Sequence, residues 1–389
     1  MLALTNGKLF TVTGGVIENG TILIEDGKIK AIGADVKVPR GSKKLDCSGK
    51  WVTPGFIEAH CHVGIMGEPM SRPGPPSDVN EMTDPLTPSI DVLDGFDARA
   101  IGFKFAREAG FTAGCILPGS ANFIGGKGGT FKFKKVCTVE EMYIPGTAVM
   151  KFALGENVKL YGGKGKAPMT RMQAAAITRE ALQKACEYAE KKKADPKTPT
   201  DPKMEALVPV VEGKMKARIH AHRVDDIDTA IRLIQEFKLD GVLEHCTEGF
   251  MIADKIAKLG IPAIIGPFGT AYSKSELNNR NWCTPAILNK AGSHVALCMD
   301  GDTRTNLLPG YVGYVIAKGG LSWEDALEGV TINAARILDL DDRMGSLEVG
   351  KDADIAIFNG DPFCNYTLCD YTIIDGELYE NENLVVPEI

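Results

Sequence analysis

Between residues 111 and 300, short apolar runs return again and again: FTAGCILPG, TAVMKFAL, KARIHAH, GVLEHC, IPAIIGP and HVALCMD. Helix-like stretches such as DDIDTAIRLIQEFKL and MIADKIAKLG separate the later ones. Short apolar strands alternating with helices are what a parallel sheet requires, because each strand must be returned to the same end by a crossover. Repeated units of this kind close into a (β/α)8 barrel, and SWEDALEGVTINAARIL supplies a helix after the last strand.

Both chain ends have a different texture. Residues 2–54 alternate apolar and polar in KLFTV, TILIE and KIKAI, broken by Asn-Gly and Asp-Gly, the dipeptides of tight hairpin turns. From Gly345 the pattern returns in ADIAIFNGDP and YTIIDGELY. The expected fold class is therefore α/β: a TIM-like barrel over residues 55–344, with a small β-sandwich domain built jointly from residues 1–54 and 345–389.

A chain of 389 residues, 44% of them hydrophobic, can bury the large core such a barrel needs. A net charge of −7 leaves no basic footprint for nucleic acid or an anionic membrane, and no apolar run is long enough to span a bilayer. MLALTNGKLFTVTGG lacks the charged flank and apolar stretch of a secretory signal, so a cytoplasmic enzyme acting on a small molecule is the expectation. The ten cysteines contain no C-x-x-C pair, and Cys364 and Cys369 are the closest spaced, which suits buried free thiols better than a disulfide framework. Oligomeric state is left open, a homo-oligomer included.

Two segments invite other readings. EALQKACEYAEKKKADPKTPTDPK reads as a charged amphipathic helix running into a Pro-rich loop, a solvated excursion without chemistry. PGSANFIGGKGG reads as a flexible Gly-rich loop after the second barrel strand. Ala121 stands where a phosphate-binding loop needs its first Gly, and Gly128 follows Lys127 where Ser or Thr is required, so nucleotide binding through that motif is rejected.

The chemistry concentrates in the histidines. Only six are present, yet H-x-H occurs twice, at His60/His62 and at His220/His222. Residues i and i+2 of a strand share a face, so both imidazoles of each pair can enter one barrel interior. His245 ends GVLEHC and Asp300 ends HVALCMD, both at the C-terminal ends of strands, where barrel active sites are built. His294 opens its strand at the opposite end and reads as structural.

Taken in order, PGFIEAHCH, the Lys of VMKFAL, the His of RIHAH, the His of LEHC and the Asp of ALCMDG resemble the amidohydrolase superfamily. SLEVGKDADIAIFNGDP resembles that superfamily's C-terminal return to the β-sandwich, so the likeness spans nearly the whole chain. LPGSANFIGG, MKFALGEN and IHAHRVDDI are similar to its imidazolonepropionase-like and prolidase-like metal-dependent hydrolases.

The resemblance implies a binuclear metal site. His60 and His62 would hold one ion with Asp300, His220 and His245 the other, and Lys151 would bridge them as a carbamate; Glu156 is the alternative bridge. Imidazole and carboxylate ligands suit two Zn2+ ions. Such ions would lower the pKa of a shared water from ~15.7 toward neutrality and polarise a scissile carbonyl. The implied reaction is hydrolysis of a carbon–nitrogen bond in an amide, cyclic amide or peptide-like substrate, with Asp300 moving the proton and His245 beside it.

A deaminase of the same superfamily is the nearest competitor, and a non-catalytic scaffold is the alternative from another class. Deaminases and imidazolonepropionase place an acidic residue just after the strand-five histidine, where this chain has His222 and Arg223. Where relatives commonly carry Asp-His-Pro after the last strand, this chain has Asp300-Gly301-Asp302. For the substrate, His222, Arg304 and Tyr272 are the candidate contacts near the mouth.

Overall fold

The computed structural model describes residues 1–67, 77–159, 165, 168–269, 274–301 and 303–381. The N-terminal strands β1 (Leu2–Phe10), β2 (Val16–Glu25), β3 (Lys28–Gly33), β4 (Lys43–Asp46) and β5 (Trp51–Pro54) lead into the barrel. The barrel strands are β6 (Phe56–Cys61), β7 (Phe111–Ile116), β8 (Ile124–Lys132), β9 (Val149–Ala153), β10 (Ala217–Ala221), β11 (Gly241–His245), β12 (Ala263–Ile265) and β13 (Val295–Leu297). The chain then returns through β14 (Ile355–Phe358), β15 (Cys369–Ile374) and β16 (Glu377–Glu380) to the strands of its own beginning.

That return makes the small domain. Its strands form one hydrogen-bonded sheet in the order β16-β15-β14-β5-β1-β2-β3, with β4 paired to β1. β1 serves three neighbours: residues 2–5 pair with β4, residues 8–9 with β5, and its register against β2 slips on either side of Gly7. Leu4, Leu9, Ile22, Ile24, Val52, Ile355, Ile357 and Ile373 pack into one buried cluster, and the i, i+2 spacing within β2 and β14 is the period expected of strands with one face inward.

The eight barrel strands are hydrogen-bonded in chain order, as anticipated. The helices around them are α1 (Ile101–Glu108), α2 (Arg171–Ala194), α3 (Pro202–Val211), α4 (Val224–Phe237), α5 (Ala253–Lys258), α6 (Thr284–Lys290), α7 (Leu308–Gly319), α8 (Trp323–Gly329) and α9 (Ile332–Ile337). In α4 the buried residues Ile227, Ala230, Ile231 and Ile234 recur at helical spacing and so present one apolar stripe to the strands. No helix among the described residues is long and apolar enough to cross a membrane.

Two expectations are corrected. The second half of the Gly-rich segment is strand β8 rather than a flexible loop, and it runs antiparallel to both β7 and β9, so the barrel is not wholly parallel. Its glycines are there for close approach: a Cβ on Gly128 would lie 2.4 Å from the Ile116 carbonyl oxygen, and Gly126 has φ 116°, where a side chain would be strained. A run without side chains has no alternation to read, which is why the sequence pattern missed the strand. The charged segment at α2 is also not wholly solvated, since Ala174, Thr178, Ala181, Leu182, Ala185 and Ala189 bury one face of that helix.

The end strands β6 and β13 meet without a shared ladder, and side chains and loops close the gap. The carboxyl group of Glu58 accepts the Met299 N–H at 3.1 Å, and the His62 N–H donates to the Gly301 carbonyl at 2.9 Å. This seam brings the segment carrying Asp300 against the end of β6. On the far side of the barrel, Lys132 of β8 lies buried among Asp352, Asp354 and Asp375, tying the barrel to the C-terminal strands. The three carboxylates hold the Lys132 ammonium protonated despite burial, which opposes it.

Candidate metal centre

Five histidines converge at the C-terminal ends of the strands. His60 lies near the end of β6 and His62 one residue beyond it; their ring centroids are 5.3 Å apart. His220 lies in β10 and His222 just past it, with centroids 4.6 Å apart, so each H-x-H pair does place two imidazoles on one face. His245, the last residue of β11, joins the pairs: its ring is 4.8 Å from that of His60, 4.4 Å from His220 and 4.7 Å from His222.

Asp300 lies beyond the end of β13, with φ 55°. Its Oδ1 is 3.3 Å from Nε2 of His60 and 3.1 Å from Nε2 of His62, without the alignment of a hydrogen bond. Lys151 is fully buried in β9, and its Nζ is 3.3 Å from His60 Nε2. The alternative bridge is placed differently. Glu156 lies past the strand, and its carboxylate accepts a hydrogen bond from Ser275 Oγ at 2.7 Å. Two ligand groups emerge from the distances: His220, His222 and His245 in one, and His60, His245 and Asp300 in the other.

Backbone and side-chain acceptors set the imidazoles. Nδ1 of His62 bonds the Leu117 carbonyl at 2.7 Å, Nδ1 of His222 bonds Thr247 Oγ1 at 2.7 Å, and Nδ1 of His245 bonds the Gly266 carbonyl at 2.9 Å. Carbonyl acceptors require Nδ1–H, which leaves Nε2 of His62 and His245 with a free lone pair toward the centre.

Electrostatics follow from burial. Burial is the first cause of the lowered proton affinity of His62, His220 and His245, and it brings His222 down to about 4. Burial likewise lowers the Lys151 amine to about 8, against the pull of Glu244 and Asp300. Asp300 goes the other way. Burial raises its carboxyl, but the imidazoles of His245, His60 and His62 outweigh this and hold it well below the usual carboxylate range.

These donors fit a cation. Both ring nitrogens of His220, Oδ1 of Asp300 and Oε1 of Glu276 are buried without a hydrogen-bond partner. Buried polar atoms are ordinarily paired or coordinate a metal. Ligand atoms around a four-coordinate zinc lie roughly 3.3 Å apart, close to the separations of Asp300 Oδ1 from Nε2 of His60 and of His62.

Three residues that the motifs did not indicate belong to the same centre. Glu244, Arg218 and Glu276 are buried there, and Glu244 bonds both His60 and Arg218. Glu244 had a signal, since it precedes His245 in LEHC; Glu276 lies in the segment after β12 and had none. Of the candidate substrate contacts, His222 is buried in the histidine cluster rather than on a rim, and Arg304 is exposed just before the turn Thr305–Leu307. Tyr272 lies outside the described residues, as does Asp302. His294 is exposed at the start of β13, away from the cluster.

Comparison with known proteins supplies the family. Residues 167–381, which include His220, His222, His245 and Asp300, match the amidohydrolase family. The crystal structure of an amidohydrolase from Thermotoga maritima MSB8 superposes with a TM-score of 0.93 at 36% identity, covering 98% of this chain and 100% of that one. Imidazolonepropionase of Maricaulis maris (strain MCS10) is 26% identical, over 92% of this chain and 92% of its own length. Amidohydrolase tasK of Hapsidospora irregularis is 26% identical over 89% of this chain, which spans 38% of that relative's length. A family match over more than half of the residues, joined to a solved amidohydrolase aligned along its whole length, shows that this chain belongs to the amidohydrolase family of hydrolases.

Proposed function

We propose that the protein hydrolyses a carbon–nitrogen bond in a small amide, cyclic amide or peptide-like substrate, using two divalent cations, zinc first among them. His60, His62 and Asp300 would hold one, His220 and His245 the other, and Lys151 would join them as a carbamate. The observation that carries this reading is the convergence of imidazoles from β6, β10 and β11 with Asp300 beyond β13, where both ring nitrogens of His220 and Oδ1 of Asp300 are buried without a hydrogen-bond partner and Lys151 Nζ is 3.3 Å from His60. When bound, such cations polarise a carbonyl and lower the pKa of water from ~15.7 toward neutrality.

The chain's own residues do the rest. Asp300, held well below the usual carboxylate range, is ionised at neutral pH and so can accept the proton of the attacking water and return it to the leaving nitrogen. Lys151 is bridging only after its neutral amine adds carbon dioxide and releases a proton. Burial in an apolar strand favours that neutral form. Glu156 is the weaker bridge, because its carboxylate is engaged with Ser275.

Against deamination, the residue after His222 is Arg223, half-buried and paired with Asp225 at 2.9 Å, where a proton-shuttling acid is expected. All ten cysteines are free, six of them buried, which supports a reducing, cytoplasmic setting.

The test is elemental analysis of the purified protein, followed by assay of the metal-replete form against N-acyl amino acids, X-Pro dipeptides and cyclic amides. Up to two ions per chain and turnover of one of these classes are expected. Failure to bind any ion stoichiometrically would overturn the reading and favour a scaffold.

A further inference from the structure

Glu276 has no role in the binuclear arrangement, yet its carboxylate is buried within it. The side chain belongs to the turn Ser275–Leu277 and is 1% exposed. Its Oε2 accepts the Glu156 N–H at 3.0 Å. That approach depends on Gly155, whose φ is 94° and where a Cβ would come within 2.7 Å of the same oxygen.

The other oxygen, Oε1, is buried without a hydrogen-bond partner. It lies 3.8 Å from Nε2 of His220, 3.8 Å from Nε2 of His222 and 3.9 Å from Nζ of the partly exposed Lys274. The Thr247 hydroxyl occupies Nδ1 of His222 and the Gly266 carbonyl occupies Nδ1 of His245. Each of His220, His222 and His245 therefore offers a nitrogen within 4.8 Å of the others, and Glu276 Oε1 lies against those of His220 and His222.

We infer that His222 and Glu276 are further protein ligands of the cation held by His220 and His245. The inference rests on the binuclear reading above. It makes the two ions unequal. Besides the Lys151 carbamate that both would share, the second ion would have three imidazoles and a carboxylate, and the ion of His60, His62 and Asp300 only two imidazoles and a carboxylate, so the latter keeps more room for water and substrate. An imidazole-rich set of this kind favours zinc or another late transition ion over magnesium or calcium. It also removes His222 from substrate recognition, since its free nitrogen faces the ion.

The experiment loads the metal-free, full-length protein with Co2+ while recording its visible spectrum, and measures affinity by competition with a chromophoric chelator. The wild type should show one tight and one weaker site. Glu276→Gln and His222→Gln should each weaken the tight site about 10-fold or more and alter its Co2+ bands, the scale seen when metal-site partners are removed. Glu276→Asp, which keeps the carboxylate, should recover part of the loss, and Lys274→Met should leave both sites unchanged. Circular dichroism checks folding, and His222→Gln reads the same site should Glu276→Gln not fold. Unchanged affinities and bands in Glu276→Gln would overturn the inference, as would a Lys274→Met protein that reproduces its effect, making Glu276 only a counter-ion. A wild type that binds no Co2+ would overturn the binuclear reading itself, which is a distinguishable result.

Discussion

Nδ1 of His60 lies 2.7 Å from Oε2 of Glu244, and both side chains are fully buried. The carboxylate holds the ring so that Nε2 points toward Asp300 and Lys151. Glu244 is itself held by Arg218, which also donates to the Ala59 carbonyl at 2.7 Å and reaches Cys115 Sγ at 3.2 Å. Burial opposes the charge on Glu244, but Arg218 and His60 outweigh it and keep the carboxyl ionised.

Glu244→Gln removes that charge and leaves Arg218 uncompensated in the barrel interior. Breaking a buried pair from one side costs about 3–5 kcal/mol, so the denaturation midpoint should fall sharply. Loss of the carboxylate behind a metal-facing histidine should also weaken ion binding about 10- to 100-fold, measured by chelator competition. Wild-type stability and affinity in this variant would show that His60 is oriented by its packing alone.

Lys151→Ala should lose one ion per chain and most activity, with partial recovery on adding a small carboxylic acid that can occupy the vacated bridge. Glu156→Gln should keep both ions, because its carboxylate is turned toward Ser275. Elemental analysis of the two variants decides the point, and the reverse pattern would move the bridge to Glu156.

Asp300→Asn keeps the shape of the side chain and removes its basicity. It should lower kcat by about 100-fold or more, the scale of a lost general base, while retaining the fold and much of the metal. Because Asp300 is held well below the carboxylate range, it stays ionised through neutrality, and the deficit should be the same from about pH 6 to 8. Near-normal kcat at full metal content would leave Asp300 as a ligand only and direct the search for the base to His245.

The stability of the metal-free protein should fall as the solution is acidified. Burial moves the His222 imidazole from 6.5 to about 4, and the imidazoles of His62, His220 and His245 shift in the same direction. The unfolded chain takes up a proton at His222 as pH drops through 6.5, whereas the folded chain does so only near 4. Stability present above that window is therefore lost across it. Thermal melting from pH 7.5 to 5 should show a steep decline in Tm, and His222→Gln should flatten it by up to about 1.4 kcal/mol per pH unit. A Tm independent of pH over that range would mean that these histidines are not buried in the neutral form.

Much of this centre was legible in the residues alone. Period-two spacing within a strand is a local property, so His60/His62 and His220/His222 declared a shared face before any contact was known, and an apolar strand around Lys151 marked it as buried. The alternation of strands and helices declared the barrel, and the hairpin texture of both ends declared their union. Other features depend on contacts between segments distant in the chain. The antiparallel direction of β8 shows only in its pairing with β7 and β9, and its close approach to Ile116 needs the glycines. Glu276 is brought beside His220 and His222 by a segment with no periodicity to read. Consecutive residues of a regular strand point to opposite faces, yet Glu244 and His245 both lie against His60, because His245 adopts φ 67° and turns its side chain back inward. That left-handed backbone is disfavoured for a histidine in isolation, and it persists where surrounding packing over-determines it, which tertiary structure decides and local sequence does not encode.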